Sequence, residues 1–241
     1  MIIIPARLGS TRFPEKVLAD IGGYPMVVAT AKAVEAIDRV VVATDSEKVA
    51  AICLEYDIKA VLTSSRHTSG TDRINEAASR LGLDENEIII NVQADEPFIE
   101  PEIVDDLKRL VEKQSRDENV MICSAYKSVT AEEAADPNLV KVVTDESDYA
   151  LYFSRSPVPF DREGGFDGYK GHIGIYGFRH RMLERFCSLP SSVLEQTEKL
   201  EQLRALSHGF KISMCRVETQ SFGIDTPEDL QKALQRIKRQ V

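Results

Sequence analysis

The sequence predicts an α/β fold: a mostly parallel sheet with helices on both faces, to which a smaller subdomain is added. Two observations carry this prediction. In the first half of the chain, short apolar runs alternate with segments of about 10–14 residues whose apolar positions recur at helical spacing. The short runs are apolar along their whole length, as strands are when helices bury both faces of a parallel sheet.

The elements of the first half follow in regular alternation. Val49, Ile52 and Cys53 share one face of the second predicted helix, as in a helix that packs on a sheet. The predicted strands span residues 2–4, 39–44, 59–63, 87–92 and 119–125, and the predicted helices span residues 25–37, 46–56, 72–81 and 101–114.

The second half has longer polar connections and supplies the subdomain. Glycine at every third position from Gly168 to Gly177 indicates a strand that bends and approaches another backbone closely. Because no linker separates two independent domains, we expect one domain over residues 1–241, with residues 136–190 as the added subdomain. The remaining predicted elements are a hairpin of strands 140–144 and 150–154, a loop over 156–169, a helix over 194–206, a strand over 211–217 and a last helix whose N-cap is Thr226.

The charge balance excludes two classes of function. The chain has 30 Lys and Arg against 39 Asp and Glu, a net charge of −9. Nucleic acids and anionic membranes would be repelled at long range, so we expect neither as a partner.

No apolar run approaches the roughly 20 residues of a membrane-spanning helix, and no signal peptide is recognisable at the N-terminus. We therefore expect a cytoplasmic protein.

The four cysteines do not predict a metal site. Cys53, Cys123, Cys187 and Cys215 each lie in an apolar stretch, and none belongs to a CxxC pair. We expect buried free thiols in a reducing compartment, and no zinc.

The strongest local signal is the loop between Pro5 and Lys16, which follows the first strand. It carries three cations, Arg7, Arg12 and Lys16, and one acid, so it is a basic segment in an acidic chain. Guanidinium forks, an ammonium and backbone N–H groups near Gly9 suit a polyphosphate, and open α/β sheets bind ligands at this edge. The alternative is a solvated loop with scattered charges.

Two aspartates are candidate Mg²⁺ ligands. Asp95 follows the strand over residues 87–92, and Mg²⁺ commonly takes one or two carboxylates together with phosphate and water oxygens. A turn cap before Pro97 is an equally good interpretation. Asp225 precedes the last helix, where helix capping is the more usual role. It would be a second metal ligand if the start of that helix lies at the sheet edge.

A polar segment, Arg66 to Arg73, leads into the third predicted helix. Ser69, Gly70 and Thr71 suit the recognition of a base edge, although an ordinary N-cap is the more usual role of such a segment. Among the histidines, His172 in the glycine-rich stretch beside Tyr176 is the candidate for function. We expect the other three, His67, His180 and His208, at the surface. No Ser/His/Asp or Cys/His arrangement predicts a covalent nucleophile.

Several longer phrases occur together in a fixed order from Ile2 to Leu230. They are IPARLGSTRFPEK, VATDSEKV, SGTDR, NVQADEPFI, KVV…DYALYFSRSPVPF, HIGIYGFR, LEQLRAL and GIDTPEDL. Together they resemble the 3-deoxy-manno-octulosonate cytidylyltransferase family. The first phrase also fits wider sugar nucleotidyltransferases, whereas YFSRSPVPF, HIGIYGFR and LEQLR are much more specific.

The resemblance implies an enzyme that forms CMP-KDO and pyrophosphate from CTP and 3-deoxy-D-manno-octulosonate (KDO) with Mg²⁺, for lipopolysaccharide synthesis. It implies a nucleotidyltransferase-like sheet with a dimerisation subdomain, and so a homodimer. The matching positions imply Arg12, Lys16 and Asp95 as catalytic residues; Ala6, Arg7, Arg12, Lys16, Ser69, Gly70, Thr71 and Gln93 on the nucleotide; Arg155, His172, Tyr176, Glu201 and Gln202 on the sugar acid; and Asp95 and Asp225 on the metal.

Four positions depart from the family's usual pattern: Leu8, Glu15, Tyr24 and Ala94 stand where Tyr, Gly, Lys and Gly are common. We expect them to tune affinity, and Ala94 most, because it adds a Cβ near the base pocket. Two alternatives remain: a cytidylyltransferase for another 2-keto sugar acid, such as an N-acylneuraminate, and a non-catalytic nucleotide-binding regulator. The regulator would have no need of paired metal carboxylates.

Overall fold

In the computed structural model, which describes residues 1–9 and 13–240 (backbone alone for 236–240), the apolar runs of the first half become strands. The strands are β1 (Ile2–Ala6), β2 (Asp20–Ile21), β3 (Tyr24–Pro25), β4 (Val40–Thr44), β5 (Lys59–Leu62), β6 (Ile88–Asn91), β7 (Val120–Ser128), β8 (Lys141–Thr144), β9 (Ala150–Ser154), β10 (Lys170–Arg179) and β11 (Lys211–Arg216).

Helices connect these strands, and a short 3₁₀ helix covers Lys16–Leu18. The α-helices are α1 (Met26–Val34), α2 (Glu47–Glu55), α3 (Gly70–Arg80), α4 (Pro101–Lys113), α5 (Ala131–Ala134), α6 (His180–Ser188), α7 (Val193–Glu198), α8 (Leu203–Ser207) and α9 (Pro227–Gln240). Two units form: the first comprises Met1–Asp105 and the segment from Gln220 onward, and the second comprises Asp106–Thr219.

The first unit is a parallel sheet with the strand order β6-β1-β4-β5. Its central strand is fully apolar: Ile2, Ile3 and Ile4 are buried, and α1 and α3 pack against it. This confirms the predicted fold class. Because the strands are parallel, the segments that follow β1 and β6 leave the sheet at one edge, which is where such sheets bind ligands.

A small hairpin, β2–β3, precedes α1 and is absent from the sequence prediction. Its strands are joined by Gly22 and Gly23, both with positive φ, at 62° and 98°. A two-residue hairpin turn of this kind requires positive φ, which glycine adopts without a steric penalty. The hairpin delays the start of the first helix to Met26.

The second unit is built around β7, which pairs in parallel with β11 and antiparallel with β10. The predicted hairpin is confirmed as β8–β9, and β8 also pairs with β10. The glycine pattern is confirmed in β10, where the register shifts between Ile173 and Tyr176. A Cβ at Gly171 would lie 2.8 Å from Cγ1 of Val129, so that position admits only glycine without a shift of its neighbours. Residues 136–190 lie inside this unit.

The predicted continuous helix over 194–206 is wrong. Helix α7 ends at Glu198, the next residue Lys199 has φ 56°, and α8 begins at Leu203. The break lets Arg204 turn back onto Glu195, with Nη2–Oε1 and Nε–Oε2 distances of 2.6 and 3.0 Å. In a continuous helix these two residues would stand roughly 13 Å apart along the axis. The ion pair therefore favours the broken form.

Two further expectations, on a histidine and on the cysteines, need correction. Helix α6 was not predicted, and its first residue, His180, is buried rather than exposed because it shares the inner face with Leu183 and Phe186. Cys53 and Cys123 are buried free thiols as expected, whereas Cys187 and Cys215 are only partly buried. Across the described part of the chain, none of the helices has both the length and the apolarity of a membrane span.

Candidate functional site

A cleft of about 310 Å³ opens in the first unit, where the segments after β1 and β6 meet the start of α3. Five residues predicted for the nucleotide line it: Arg7, Lys16, Ser69, Gly70 and Gln93. Ala6 and Thr71 are buried beside these residues and do not reach the cleft surface. Arg12 lies outside the described residues.

The start of α3 forms one wall of this cleft, through Ser69 and Gly70. Ser69 caps the helix by accepting a hydrogen bond from the backbone N–H of Asp72 at 3.0 Å, so the capping interpretation is correct. A Cβ at Gly70 would lie 3.2 Å from Cγ of Pro5 and 3.8 Å from Oε1 of Gln93. A side chain there would press on Pro5 and face Gln93, so glycine keeps the cleft open.

Lys16 and two aspartates line the same cleft and form a tight charged cluster. Nζ of Lys16 lies 2.5 Å from Oδ2 of Asp95 and 2.9 Å from Oδ1 of Asp225. The Lys16 side chain is 12% exposed. Burial alone would lower the pKa of Lys16, but the charges and hydrogen bonds of Asp95 and Asp225 raise it above its ordinary value. Lys16 is therefore an ammonium.

Asp225 is not needed as the cap of α9. Thr226 performs that role: its Oγ1 accepts from the backbone N–H of Asp229 at 3.2 Å, and Oδ2 of Asp229 accepts from the backbone N–H of Thr226 at 3.1 Å. This confirms the predicted N-cap, Thr226. The carboxylate of Asp225 lines the cleft instead, at the start of α9.

The pair of aspartates fits a divalent cation. Two carboxylates from distant parts of the chain converge on one positive charge, and Mg²⁺ is often held by one or two carboxylates while phosphate and water oxygens complete its shell. Within residues 1–9 and 13–240, no cluster of three or more His, Cys, Asp or Glu side chains suggests a metal site held by protein ligands alone. Two carboxylates would suit a metal whose remaining ligands are phosphate and water oxygens.

Glu96 is a further acid beside this cluster. Burial, with the charge of Asp95 adding to it, raises the pKa of Glu96 to about 7. Its Oε2 accepts a hydrogen bond from Oγ of Ser221 at 3.3 Å. Glu96 was not among the predicted site residues, and it is partly buried.

Two ionisable side chains that line the cleft, Arg73 and His67, were not predicted as site residues. Arg73 is buried and donates from Nη1 to Oγ1 of Thr63 at 2.7 Å and from Nη2 to Oδ2 of Asp45 at 3.0 Å. His67, expected at the surface, lines the cleft and binds Glu76 through Nε2. The signal available was the spacing of Arg73 from Ser69, which puts both residues on one side of α3.

The residues predicted for the sugar acid lie in the second unit, and three of them form a buried polar cluster. The hydroxyl of Tyr176 donates to Oε1 of Gln202 at 3.3 Å, and the rings of Tyr176 and His172 are 5.5 Å apart. Nε2 of His172 lies 2.9 Å from Oγ of Ser124. Burial lowers the pKa of His172 to about 3 and raises that of Tyr176, so both side chains are neutral at pH 7.

Gln202 has spare hydrogen-bonding capacity. It is 3% exposed, and in the described part of the chain its buried Nε2 has no hydrogen-bond acceptor. An unsatisfied buried amide of this kind costs free energy unless a ligand or water accepts from it.

Arg155 and Glu201 are held by other partners. Arg155 donates from Nε to the carbonyl of Glu198 at 2.8 Å and from Nη1 to the carbonyl of Pro137 at 3.0 Å. Glu201 is partly buried, with Oε1 3.4 Å from Nη2 of Arg204. The Arg155 side chain therefore has a structural role, because it ties together two backbone segments of the second unit.

Comparison with known proteins gives consistent matches over nearly the whole chain. The model of the cytidylyltransferase family matches residues 1–212. A 3-deoxy-manno-octulosonate cytidylyltransferase of Nitratiruptor sp. is 57% identical over 96% of this chain and 97% of its own length, and that of Wolinella succinogenes is 56% identical over 97% and 98%. A solved structure of CMP:2-keto-3-deoxy-manno-octonic acid synthetase complexed with CTP superposes with a TM-score of 0.91 at 38% identity, covering 100% of this chain and 98% of that one.

Proposed function

Because this chain belongs to the 3-deoxy-manno-octulosonate cytidylyltransferase family, we propose that it transfers the cytidylyl group of CTP to KDO and releases pyrophosphate. The match to relatives of that name along nearly the full chain carries the proposal. The cleft supports it, because a basic loop, a glycine at a helix start and two paired aspartates line one cavity. The product, CMP-KDO, would be the activated sugar donor for lipopolysaccharide synthesis.

The triphosphate of CTP is the natural ligand of the basic side of the cleft. Arg7 is exposed at the end of β1, and Lys16 lies beside it in the lining. We assign both, with Arg12, to the phosphates. We assign Ser69, Gly70 and Gln93, which line the cleft, to the cytidine. Ala6 and Thr71, which are buried beside them, are assigned to the support of the same pocket.

The reaction needs no nucleophile from the protein. The anomeric 2-hydroxyl of KDO attacks the α-phosphorus of CTP and loses its proton to solvent. The bond from the α-phosphorus to the bridging oxygen breaks, and its electron pair leaves with pyrophosphate. The protein contributes alignment of the two substrates and positive charge where negative charge accumulates. We assign Lys16 to the departing pyrophosphate, where an ammonium is worth most in the transition state.

A Mg²⁺ ion would be held by Asp95 and Asp225, and when bound it offsets the repulsion between an anionic nucleotide and an anionic sugar. This assignment rests on the convergence of both carboxylates at one positive charge. Asp95 is fixed by the strand that precedes it, and Asp225 by the capped start of α9.

The sugar acid is assigned to the polar cluster of the second unit. The unsatisfied Nε2 of Gln202 is a donor for a hydroxyl or carboxylate, and Tyr176 fixes the other end of that amide. Glu201 would accept from sugar hydroxyls. Arg155 and neutral His172 complete the set as donors toward the carboxylate region.

We also propose a homodimer through the second unit. Leu151, Phe160 and Val193 are 59%, 86% and 78% exposed, which is high for large apolar side chains. Leu151 and Phe160 belong to the 136–190 subdomain.

We propose a reducing, cytoplasmic compartment for the protein, which its free cysteines support.

Pyrophosphate release tests this proposal. The protein should release pyrophosphate from CTP only when KDO and Mg²⁺ are both present, and a chelator should stop the reaction. Labelled pyrophosphate should not exchange into CTP without KDO, because no cytidylyl-enzyme forms. Release that is independent of KDO, or no release at all, would refute the proposal, and the latter would favour a nucleotide-binding regulator.

A further inference from the structure

The charged cluster in the cleft contains an internal competitor for the metal. Lys16 contacts Asp95 and Asp225 at once, at 2.5 and 2.9 Å. These are the two carboxylates assigned to the divalent cation. An ammonium and a metal ion at one pair of carboxylates repel each other, and this repulsion is strong where little water screens it. The two cations therefore compete for the same ligands.

The backbone around Lys16 is anchored, whereas its side chain is long and flexible. The N–H of Lys16 donates to the carbonyl of Phe13 at 3.2 Å, and the N–H of Leu18 donates to the carbonyl of Glu15 at 2.8 Å. Val17 is buried, which fixes the 3₁₀ helix to the core. A lysine ammonium on a four-carbon stem can change partners while its Cα stays in place.

A triphosphate offers Lys16 a better partner than the two aspartates do. It carries more negative charge than either carboxylate, and Lys16 lines the cleft in which we place it. When the ammonium turns to the phosphates, its charge no longer competes with a divalent ion for the two carboxylates. Carboxylate oxygens are ligands that a divalent ion such as Mg²⁺ prefers.

We propose that Lys16 is an exchangeable counter-ion, which holds Asp95 and Asp225 together in the free protein, keeps the divalent metal off them, and moves to the triphosphate when CTP binds. Metal and nucleotide then bind interdependently, each raising the affinity for the other. The inference rests on the proposed function, since it takes these aspartates as the metal ligands. It gives Lys16 a role before the chemical step in addition to its role during it.

Direct Mn²⁺ binding to the free protein tests this inference without turnover. Electron paramagnetic resonance counts free Mn²⁺ in titrations of the wild type, Lys16→Met and Lys16→Arg. Lys16→Met removes the charge at similar length, and we expect it to bind Mn²⁺ at least tenfold more tightly than the wild type does. Lys16→Arg keeps a cation and should stay close to the wild type. Equal or weaker binding by Lys16→Met would overturn the inference.

A second variant and a second background make the result specific. If Lys16→Met fails to fold by circular dichroism, Lys16→Gln takes its place with the same expectation. Adding Asp225→Asn to the uncharged variant should abolish the gain in affinity. A gain that survives would place the Mn²⁺ elsewhere and also overturn the inference.

The two proposals fail separately. A wild-type protein that releases pyrophosphate from CTP and KDO, with no gain of Mn²⁺ affinity in Lys16→Met, loses only the counter-ion role. A protein that never releases pyrophosphate loses the proposed function, whatever its Mn²⁺ titration shows.

Discussion

Asp225 illustrates how a neighbouring residue takes over a structural role, here the cap of α9. Since Thr226 caps α9, the carboxylate of Asp225 is directed to Lys16. We expect Asp225→Asn to lower kcat by at least a hundredfold and to leave the free energy of unfolding nearly unchanged, because a metal site with few protein ligands loses one of two charges. Pyrophosphate release and urea unfolding measure the two quantities.

Thr226→Ala is the matched control one residue away. It removes the cap and should lower the free energy of unfolding by about 1 kcal/mol, with kcat retained. The opposite pattern, in which Asp225→Asn mainly lost stability and kept its activity at limiting Mg²⁺, would make Asp225 a structural residue.

Glu201 separates a sugar contact from a solvated acid. We expect Glu201→Ala to raise KM for KDO or lower kcat/KM by roughly ten- to a hundredfold, since a hydrogen bond to a charged group is worth about 1.5–3 kcal/mol. CTP binding by calorimetry should change little. Glu112→Ala, at an exposed position of α4, should alter neither quantity. Wild-type KDO kinetics in Glu201→Ala would remove Glu201 from the site.

Residue types could be predicted from the sequence, and their partners could not. The basic loop and Asp95 stand out locally, but the contacts of Lys16 join positions 79 and 209 residues away. Only the fold brings them together. His67 and Arg73 were missed for the same reason: polar residues near a helix start are usually solvated, and their burial depends on the sheet edge they face.

At the scale of the element, the junction of α7 and α8 shows a limit of periodicity. Leu200, Leu203 and Leu206 keep helical spacing across a segment whose backbone turns at Lys199. The spacing of apolar residues indicates which side chains are buried, but it does not show where a single residue adopts a left-handed backbone conformation. The Gly22-Gly23 pair, by contrast, is a local sequence signal for a two-residue hairpin turn, although the sequence prediction did not use it.

The left-handed backbone conformation at Lys199 should make the stability of the protein sensitive to the residue type there. Its φ of 56° costs a non-glycine residue roughly 1 kcal/mol. Lys199→Gly should leave the free energy of unfolding unchanged or raise it by up to about 1 kcal/mol, and Lys199→Val should lower it by roughly 1–2 kcal/mol. Urea unfolding of both variants decides this. If Val were tolerated as well as Gly, the left-handed turn would not be required.

At the scale of the whole molecule, the first unit was the easier to predict. Fully apolar strands between amphipathic helices permit few arrangements, and the parallel order follows from the connections. The second unit has mixed strand directions, a bulged strand and short helices, so its long-range pairings decide its form. Its candidate sugar residues were found through family motifs rather than through local pattern.

The burial of His172 makes global stability depend on pH. Its pKa falls from about 6.5 in the unfolded chain to about 3 in the fold. Between these values the unfolded state binds the extra proton, so stability decreases as pH falls below about 6.5. From pH 7 to pH 5 this group should cost about 2 kcal/mol.

The variant His172→Gln isolates that contribution. Urea unfolding at pH 7 and pH 5 should show a smaller loss of stability in the variant than in the wild type, by about 2 kcal/mol. The acids contribute equally to both proteins and cancel in the comparison. Identical losses would mean that His172 is protonated in the folded protein.

The central claim is the identity of the sugar acid, and a competition experiment tests it most directly. The protein receives limiting CTP with equimolar KDO and N-acetylneuraminate, and mass spectrometry quantifies both CMP-sugars, whose ratio reports relative kcat/KM. The account predicts CMP-KDO in large excess. Predominance of CMP-N-acetylneuraminate would contradict the account.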